Sequence, residues 1–202
     1  CHAIFSYVNF DLMKKKDIII FTGGSGKFGK VFRRIHQNKE IVYPTSNQLD
    51  IKNYKSIKKY ISKLKPKYFV HTAALSRPMN IHDRNIINSI ETNIIGTCNV
   101  VKACSEKNVK LIYFSSNYVY PAKKGYYNEK SAVLPFNNYA WSKLGGETAV
   151  QMYKNSLILR ICMTEKPFLY KKAFTNLETN FMFHEDLAKV FFKLINKKGI
   201  IN

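Results

Sequence analysis

The sequence predicts an α/β fold of the Rossmann type, a doubly wound parallel sheet with helices on both faces. Two observations predict it. Short apolar, β-rich runs alternate with longer stretches of helical spacing, the order expected of parallel strands joined by helical crossovers, and a glycine-rich turn directly follows the first run. The runs cover residues 18–22, 41–45, 68–72, 110–115 and 156–161. Helical stretches lie between them at 28–37, 54–64, 85–107 and 139–153, and a last one covers 184–196. In the second helix Ile57, Tyr60, Ile61 and Leu64 share one face; in the last, Leu187, Val190, Phe191, Leu194 and Ile195 recur at helical spacing. Ligands of such a sheet bind outside the carboxyl ends of its strands.

With 202 residues, 46% of them hydrophobic, the chain is long enough for one well-buried domain. The longest early apolar run, Ile18-Ile19-Ile20-Phe21, falls far short of the roughly 20 residues a bilayer span needs, so no membrane segment is expected. Cys1, Cys98, Cys104 and Cys162 match neither zinc-ligand nor C-x-x-C spacing. They read as reduced thiols of a cytoplasmic protein, with no metal site. A net charge of +20 invites a nucleic-acid partner. The lysines are spread, however, at Lys14-Lys15-Lys16, Lys58-Lys59, Lys123-Lys124, Lys171-Lys172 and Lys197-Lys198, which reads as a solvated surface rather than a binding patch. The chain opens on Cys1, while Met13 would make an ordinary start, and Gly199-Ile200-Ile201-Asn202 reads as a strand just beginning. We therefore expect an N-terminal extension at 1–12, a dinucleotide-binding domain over 13–202, and a chain that is a fragment or a short family member.

The turn after the first strand reads Thr22-Gly23-Gly24-Ser25-Gly26-Lys27-Phe28-Gly29 and leads into a helix. Gly23, Gly26 and Gly29 meet three needs: a tight turn, close approach of bare backbone to a pyrophosphate, and close packing of helix on strand. The helix N-terminus adds free N–H groups and a partial positive charge. A glycine-rich turn can also be only a turn.

The spacing T-G-x-x-G-x-x-G resembles that of the extended short-chain dehydrogenase/reductase family. Further along, Asp50-Ile51 matches that family's acidic-plus-aliphatic pair beside the adenine ring, Thr72-Ala73-Ala74 after His71 its small-residue turn along the cofactor, and Asn93-Ile94-Ile95-Gly96-Thr97 its N-x-x-G-T helix segment. Each has another reading: Asp50 as a helix cap, Ala73-Ala74 as plain packing, Asn93 as a buried structural amide. The resemblance implies cofactor contacts from Gly23, Ser25, Gly26, Lys27, Phe28, Gly29, Asp50, Ile51, Thr72, Ala73, Ala74, Asn93, Tyr139 and Lys143. The cofactor implied is NADP or NAD. No acidic residue follows the second strand, where Pro44-Thr45-Ser46-Asn47 stands, and with Lys27 and Arg33-Arg34 nearby this leans toward NADP.

Tyr139-Ala140-Trp141-Ser142-Lys143 places a phenol and an ammonium four residues apart on one helix face. A phenol with an ordinary pKa of about 10 must exchange a proton near neutrality to act as an acid or base, and a nearby cation lowers that pKa. The longer string with Glu129, Pro135, Asn138 and Glu147 resembles the same family, and Ser115-Ser116-Asn117-Tyr118-Val119-Tyr120 is most similar to the S-T-D-Y-V-F segment of dTDP-4-dehydrorhamnose reductases. Leu159-Arg160 and His184-Glu185-Asp186-Leu187-Ala188 resemble those reductases too. The resemblance implies Tyr139 as general acid/base, Lys143 tuning it and holding the nicotinamide ribose, and Ser116 bonding the reacting oxygen. It further implies a nucleotide-sugar substrate, reduction of a 4-keto sugar, and pairing as a homodimer through helices that include 85–107 and 139–153. An epimerase, or a binder of NAD(P) without catalysis that serves as sensor or scaffold, are the alternatives. One departure stands out: only residues 161–183 separate Arg160 from His184, where the family has a longer insert, so a shortened substrate lobe is expected.

Overall fold

In the computed structural model, which describes residues 17–123, 125–168 and 180–202, the apolar run after Asp17 forms β1 (Ile19–Thr22) and is buried throughout. The strands that follow are β2 (Ile41–Val42), β3 (Tyr68–His71), β4 (Lys110–Phe114), β5 (Ser156–Leu159), β6 (Met163–Thr164), β7 (Met182–Phe183) and β8 (Gly199–Ile201). Six of them make one parallel sheet in the order β2-β1-β3-β4-β5-β8, and β6 pairs with β7 in a separate two-stranded parallel sheet. Every residue of β1, β3, β4 and β5 is buried, as a parallel sheet covered on both faces requires. The predicted strand at 41–45 keeps only two residues, with Pro44, which has no N–H to donate, shortly after them. The predicted extension at 1–12 lies outside the described residues.

The helices are α1 (Lys27–Ile35), α2 (Tyr54–Leu64), α3 (Ile81–Arg84), α4 (Ile86–Ser89), α5 (Gly96–Glu106), α6 (Asn138–Gln151) and α7 (His184–Leu194). Side-chain caps fix three starts: Asn53 Oδ1 accepts from Ser56 N at 3.1 Å, Asn85 Oδ1 from Asn88 N at 3.0 Å and Asn137 Oδ1 from Ala140 N at 2.8 Å, each cap contributing about 1 kcal/mol. The stretch predicted as one helix over 85–107 is broken, because a π-helical segment, Ile90–Ile95, joins α4 to α5. On one face of the sheet α1 and α7 enclose Ile19, Phe21, Phe32, Phe114 and Phe191. The Phe21 and Phe32 rings stack at 4.8 Å, and Phe191 meets Phe32 edge-on at 5.0 Å. On the other face α2, α5 and α6 cover Ile20, Ile57, Phe69, Val100, Leu111 and Val150.

The chain leaves β1 through α1 to β2 on one side and returns through α2 to β3 on the other. A crevice therefore opens above the carboxyl ends of β1 and β3, the switch point where doubly wound sheets bind ligands. The order 2-1-3-4-5 is the flavodoxin-like variant of that fold rather than 3-2-1-4-5-6. Among the described residues no strand lies outside β2; the segment that could have supplied one turns at Asp50, whose Oδ1 accepts from Lys52 N at 3.0 Å.

Candidate active site

The glycine loop closes as predicted, directly above β1. Gly23 sits at φ +79°, which an L side chain rarely adopts, and Gly26 N donates to Gly23 O at 3.0 Å. At Gly29 a Cβ would run into Gly23 O and the Gly24 backbone, so the first turn of α1 can lie on the loop only without one. Ser25, Gly26 and Lys27 are exposed at the rim, and no side chain caps the start of α1. Bare backbone and uncommitted first-turn N–H groups facing a crevice fit the pyrophosphate of a dinucleotide. Phe28 turns inward instead, into the aromatic core against Phe21 and Phe114. Lys27 forms an ion pair with Glu165.

The loop after β3 forms the second wall. Thr72 Oγ1 donates to Thr22 O at 2.7 Å, and a Cβ on Gly23 would strike Thr72 and Ala73, so these two loops touch. Asn93, in the π segment, is 1% exposed and fully engaged: its Oδ1 accepts from Leu75 N while Nδ2 donates to Leu75 O and to Ser142 Oγ, all at 2.8 Å. This is the buried structural amide, fastening the Thr72-Ala73-Ala74-Leu75 loop to α6. Ile51 lies in the core beneath α5, where it lines the space a Cβ on Gly96 would need.

Ser116 follows β4, and Tyr139 and Lys143 lie in the first half of α6. The Ser116 hydroxyl accepts from Tyr118 N at 3.2 Å and lies near enough to Tyr139 to draw its phenol down. Burial pushes the Tyr139 phenol up to about 12, against the opposing pulls of Ser116 and of Arg77. Lys143 is turned toward the sheet: its Nζ lies 4.3 Å from the centre of the Tyr113 ring on β4. Burial brings its ammonium down to about 7, with Glu147 resisting. The expected lowering of Tyr139 by Lys143 is thus not what this geometry gives; burial dominates the phenol, and Lys143 answers to Tyr113 and Glu147. Beneath them His71 bridges Thr22 Oγ1 at 3.0 Å and Thr97 Oγ1 at 3.2 Å, and burial with the nearby Lys143 lowers it to about 3.

Comparison with known proteins agrees with the fold. The profile of the RmlD substrate binding domain matches residues 16–189. The chain belongs to that family. Among curated relatives, methionine adenosyltransferase 2 subunit beta of Xenopus laevis is 29% identical over 70% of this chain and 45% of its own. GDP-6-deoxy-D-talose 4-dehydrogenase of Aggregatibacter actinomycetemcomitans is 31% identical over 67% of this chain and 48% of its own. The chain spans about half the length of these relatives. A solved dTDP-4-dehydrorhamnose reductase of Bacillus anthracis in complex with NADP superposes with a TM-score of 0.79 at 24% identity, over 92% of this chain and 73% of that one, a likeness of fold.

In this member of the RmlD substrate binding domain family the site also contains groups the sequence did not single out. His82, on the short α3, is buried with its ring 5.2 Å from that of Tyr139, and its Nδ1 lies 2.7 Å from Ser89 Oγ. Nothing in its spacing marked it. Glu147 and Arg160 stand in motifs that resembled the family, but their buried ion pair, 0% and 3% exposed, joins residues thirteen apart in sequence and became visible only once α6 lay beside β5. Among the described residues no helix is long and apolar enough to cross a membrane, and no group of His, Cys, Asp and Glu is arranged to hold a metal ion.

Proposed function

We propose that the chain is the cofactor-binding and catalytic portion of an NAD(P)-dependent oxidoreductase acting on a nucleotide-activated sugar, with reduction of a 4-keto sugar as its reaction. The observation that carries this reading is that Ser116 and the buried Tyr139 stand together at the carboxyl edge of the sheet that also presents the glycine loop. The Tyr139 phenol, pushed up to about 12 by burial, is protonated at neutral pH and suited to donate a proton to a carbonyl oxygen as that oxygen gains charge. Ser116, beside it, would hydrogen-bond the same oxygen. Ser25 and the first-turn N–H groups of α1 would hold the phosphates, and Lys143 the nicotinamide ribose. When bound, the nicotinamide supplies the hydride.

The preference leans to NADP. The Arg33 guanidinium lies 4.4 Å from the centre of the Tyr43 ring beside the end of β2, where no acidic side chain waits for a ribose hydroxyl. Pairing of two copies would use the outer side of α4 and α6, where Ile86, Ile87 and Trp141 are exposed. A cytoplasmic setting accords with the free thiols of Cys98, Cys104 and Cys162.

Replacing Tyr139 by Phe should leave NADPH affinity within about twofold while turnover of keto-sugar nucleotides falls roughly 10²–10⁴-fold. Equal loss of affinity and turnover, or loss of neither, would refute the assignment. A second reading, a cofactor-binding subunit without chemistry of its own, is favoured by the relatives that carry the name subunit beta. It predicts NADPH binding with no turnover across a panel of keto-sugar nucleotides.

A further inference from the structure

Lys143 is buried, and the carboxylate acting on it is Glu147, one turn further along α6. That carboxylate is fully engaged elsewhere. Its Oε1 accepts from Arg160 Nη2 at 2.6 Å, Arg160 Nε at 3.0 Å and Gln151 Nε2 at 3.0 Å, and its Oε2 accepts from Ser115 Oγ at 2.5 Å. Arg160, just past β5, reaches on through Nη1 to the Tyr120 hydroxyl at 2.9 Å. The pair thus ties the end of β4, the end of β5 and the middle of α6, and Ser115 precedes Ser116 in the chain.

A lone carboxylate beside a buried lysine would hold it permanently as the ammonium, because charges attract strongly where water is excluded. Here Arg160 sits against the same carboxylate, and its positive charge opposes what Glu147 presents to Lys143. From the other elements it faces the Tyr113 phenol on β4 and the neutral His71 on β3; Cys98 on α5 acts on Tyr113.

We propose that the Glu147–Arg160 pair is a positioning element of the site: it holds the Ser115-Ser116 edge, and Arg160 limits how much of the Glu147 charge reaches Lys143. The proposal rests on the reading of Tyr139 and Lys143 given above.

The test is the titration of Lys143 itself, followed by NMR through the Cε resonance in the full chain labelled with [13C]lysine and assigned with Lys143→Arg. The wild-type midpoint is expected at about 7. In Glu147→Gln, which keeps acceptor oxygen and shape but no charge, the midpoint should fall by about one pH unit, a roughly tenfold loss of proton affinity. In Arg160→Gln, which releases the Glu147 charge toward Lys143, it should rise by about as much. Arg160→Lys, with its cation restored, should return it to the wild-type value. A purely structural pair would not move the two midpoints in opposite directions. Midpoints that shift the same way, or do not shift, overturn the proposal. Where Arg160→Gln does not fold, Glu147→Gln and Arg160→Lys decide: a Lys143 midpoint unmoved in the first is sufficient to reject it. The resonance reports charge whether or not the chain turns over, so failure of the oxidoreductase reading, seen in the Tyr139→Phe experiment, is distinguishable from failure here.

Discussion

Asn93→Ala is expected to destabilise the fold by about 3 kcal/mol and to loosen the cofactor crevice without touching it. Asn93 makes three 2.8 Å hydrogen bonds, two to the Leu75 backbone and one to Ser142 Oγ. Each contributes roughly 1 kcal/mol net, and a partner left dry costs more. Leu75 is only half-buried, so water can replace part of what it loses, and the sum stays near the three bonds themselves. Domains of this size unfold at about 5–15 kcal/mol, so the variant should remain folded, with a melting midpoint lower by roughly 6–12 °C. Urea denaturation would give the free energy and fluorescence titration with NADPH the affinity. Because the Leu75 loop carries Thr72 and Ala73 against Gly23, affinity should weaken about tenfold, near 1.4 kcal/mol. Asn93→Asp keeps an acceptor for Leu75 N but turns it on the Leu75 carbonyl, and should be no better tolerated than Ala. A loss below about 1 kcal/mol in Asn93→Ala, or a stable Asp variant, would refute the account of Asn93 as the fastener of that loop.

Two further outcomes concern pH. The folded-state pKa of His71 is lowered to about 3 by burial, and burial also lowers His36, His82 and His184. The unfolded chain takes up these protons near pH 6.5 while the native state stays neutral, so stability is kept above pH 6.5 and lost below it, by up to about 1.4 kcal/mol per pH unit from His71 alone. Urea midpoints that do not fall between pH 7 and pH 5 would contradict the burial of these rings. For Tyr139, with its phenol near 12, the phenolate fraction at pH 7 is only about 10⁻⁵. Above pH 8, where Lys143 is already neutral, oxidation of a sugar alcohol should therefore rise about tenfold per pH unit while reduction of the ketone stays flat. Initial rates in both directions would show this, and a flat oxidation limb would reject Tyr139 as the base.

Much of the fold was legible because its cause is local. Apolar runs bounded by Gly, Pro or Asn had to be strands buried on both faces, and α2 follows its predicted bounds because Asn53 caps it and the apolar face of Ile57 and Ile61 sets its register. The final strand at Gly199–Ile201 likewise forms where the sequence foreshadowed it, beside β5. What failed locally failed for tertiary reasons. The helix predicted over 85–107 is interrupted at Ile90–Ile95, in the segment from which the Asn93 amide reaches Leu75 and Thr97 Oγ1 donates back to Asn93 O at 2.7 Å. No periodicity in the sequence encodes a demand made by a loop eighteen residues upstream.

The site shows the same boundary between face and direction. A spacing of four puts Tyr139 and Lys143 on one side of α6, and spacing says no more than that. Which way each side chain then points depends on what the sheet offers: the hydroxyl of Ser116 after β4 for the phenol, the ring face of Tyr113 for the ammonium. The phenol is therefore governed by desolvation, with Ser116 as a lesser pull, and the lysine by an aromatic face and a carboxylate paired with Arg160. Charge at this site is set by partners on β4 and β5, far along the chain from Tyr139, and for that reason a motif can locate the two residues without giving their protonation.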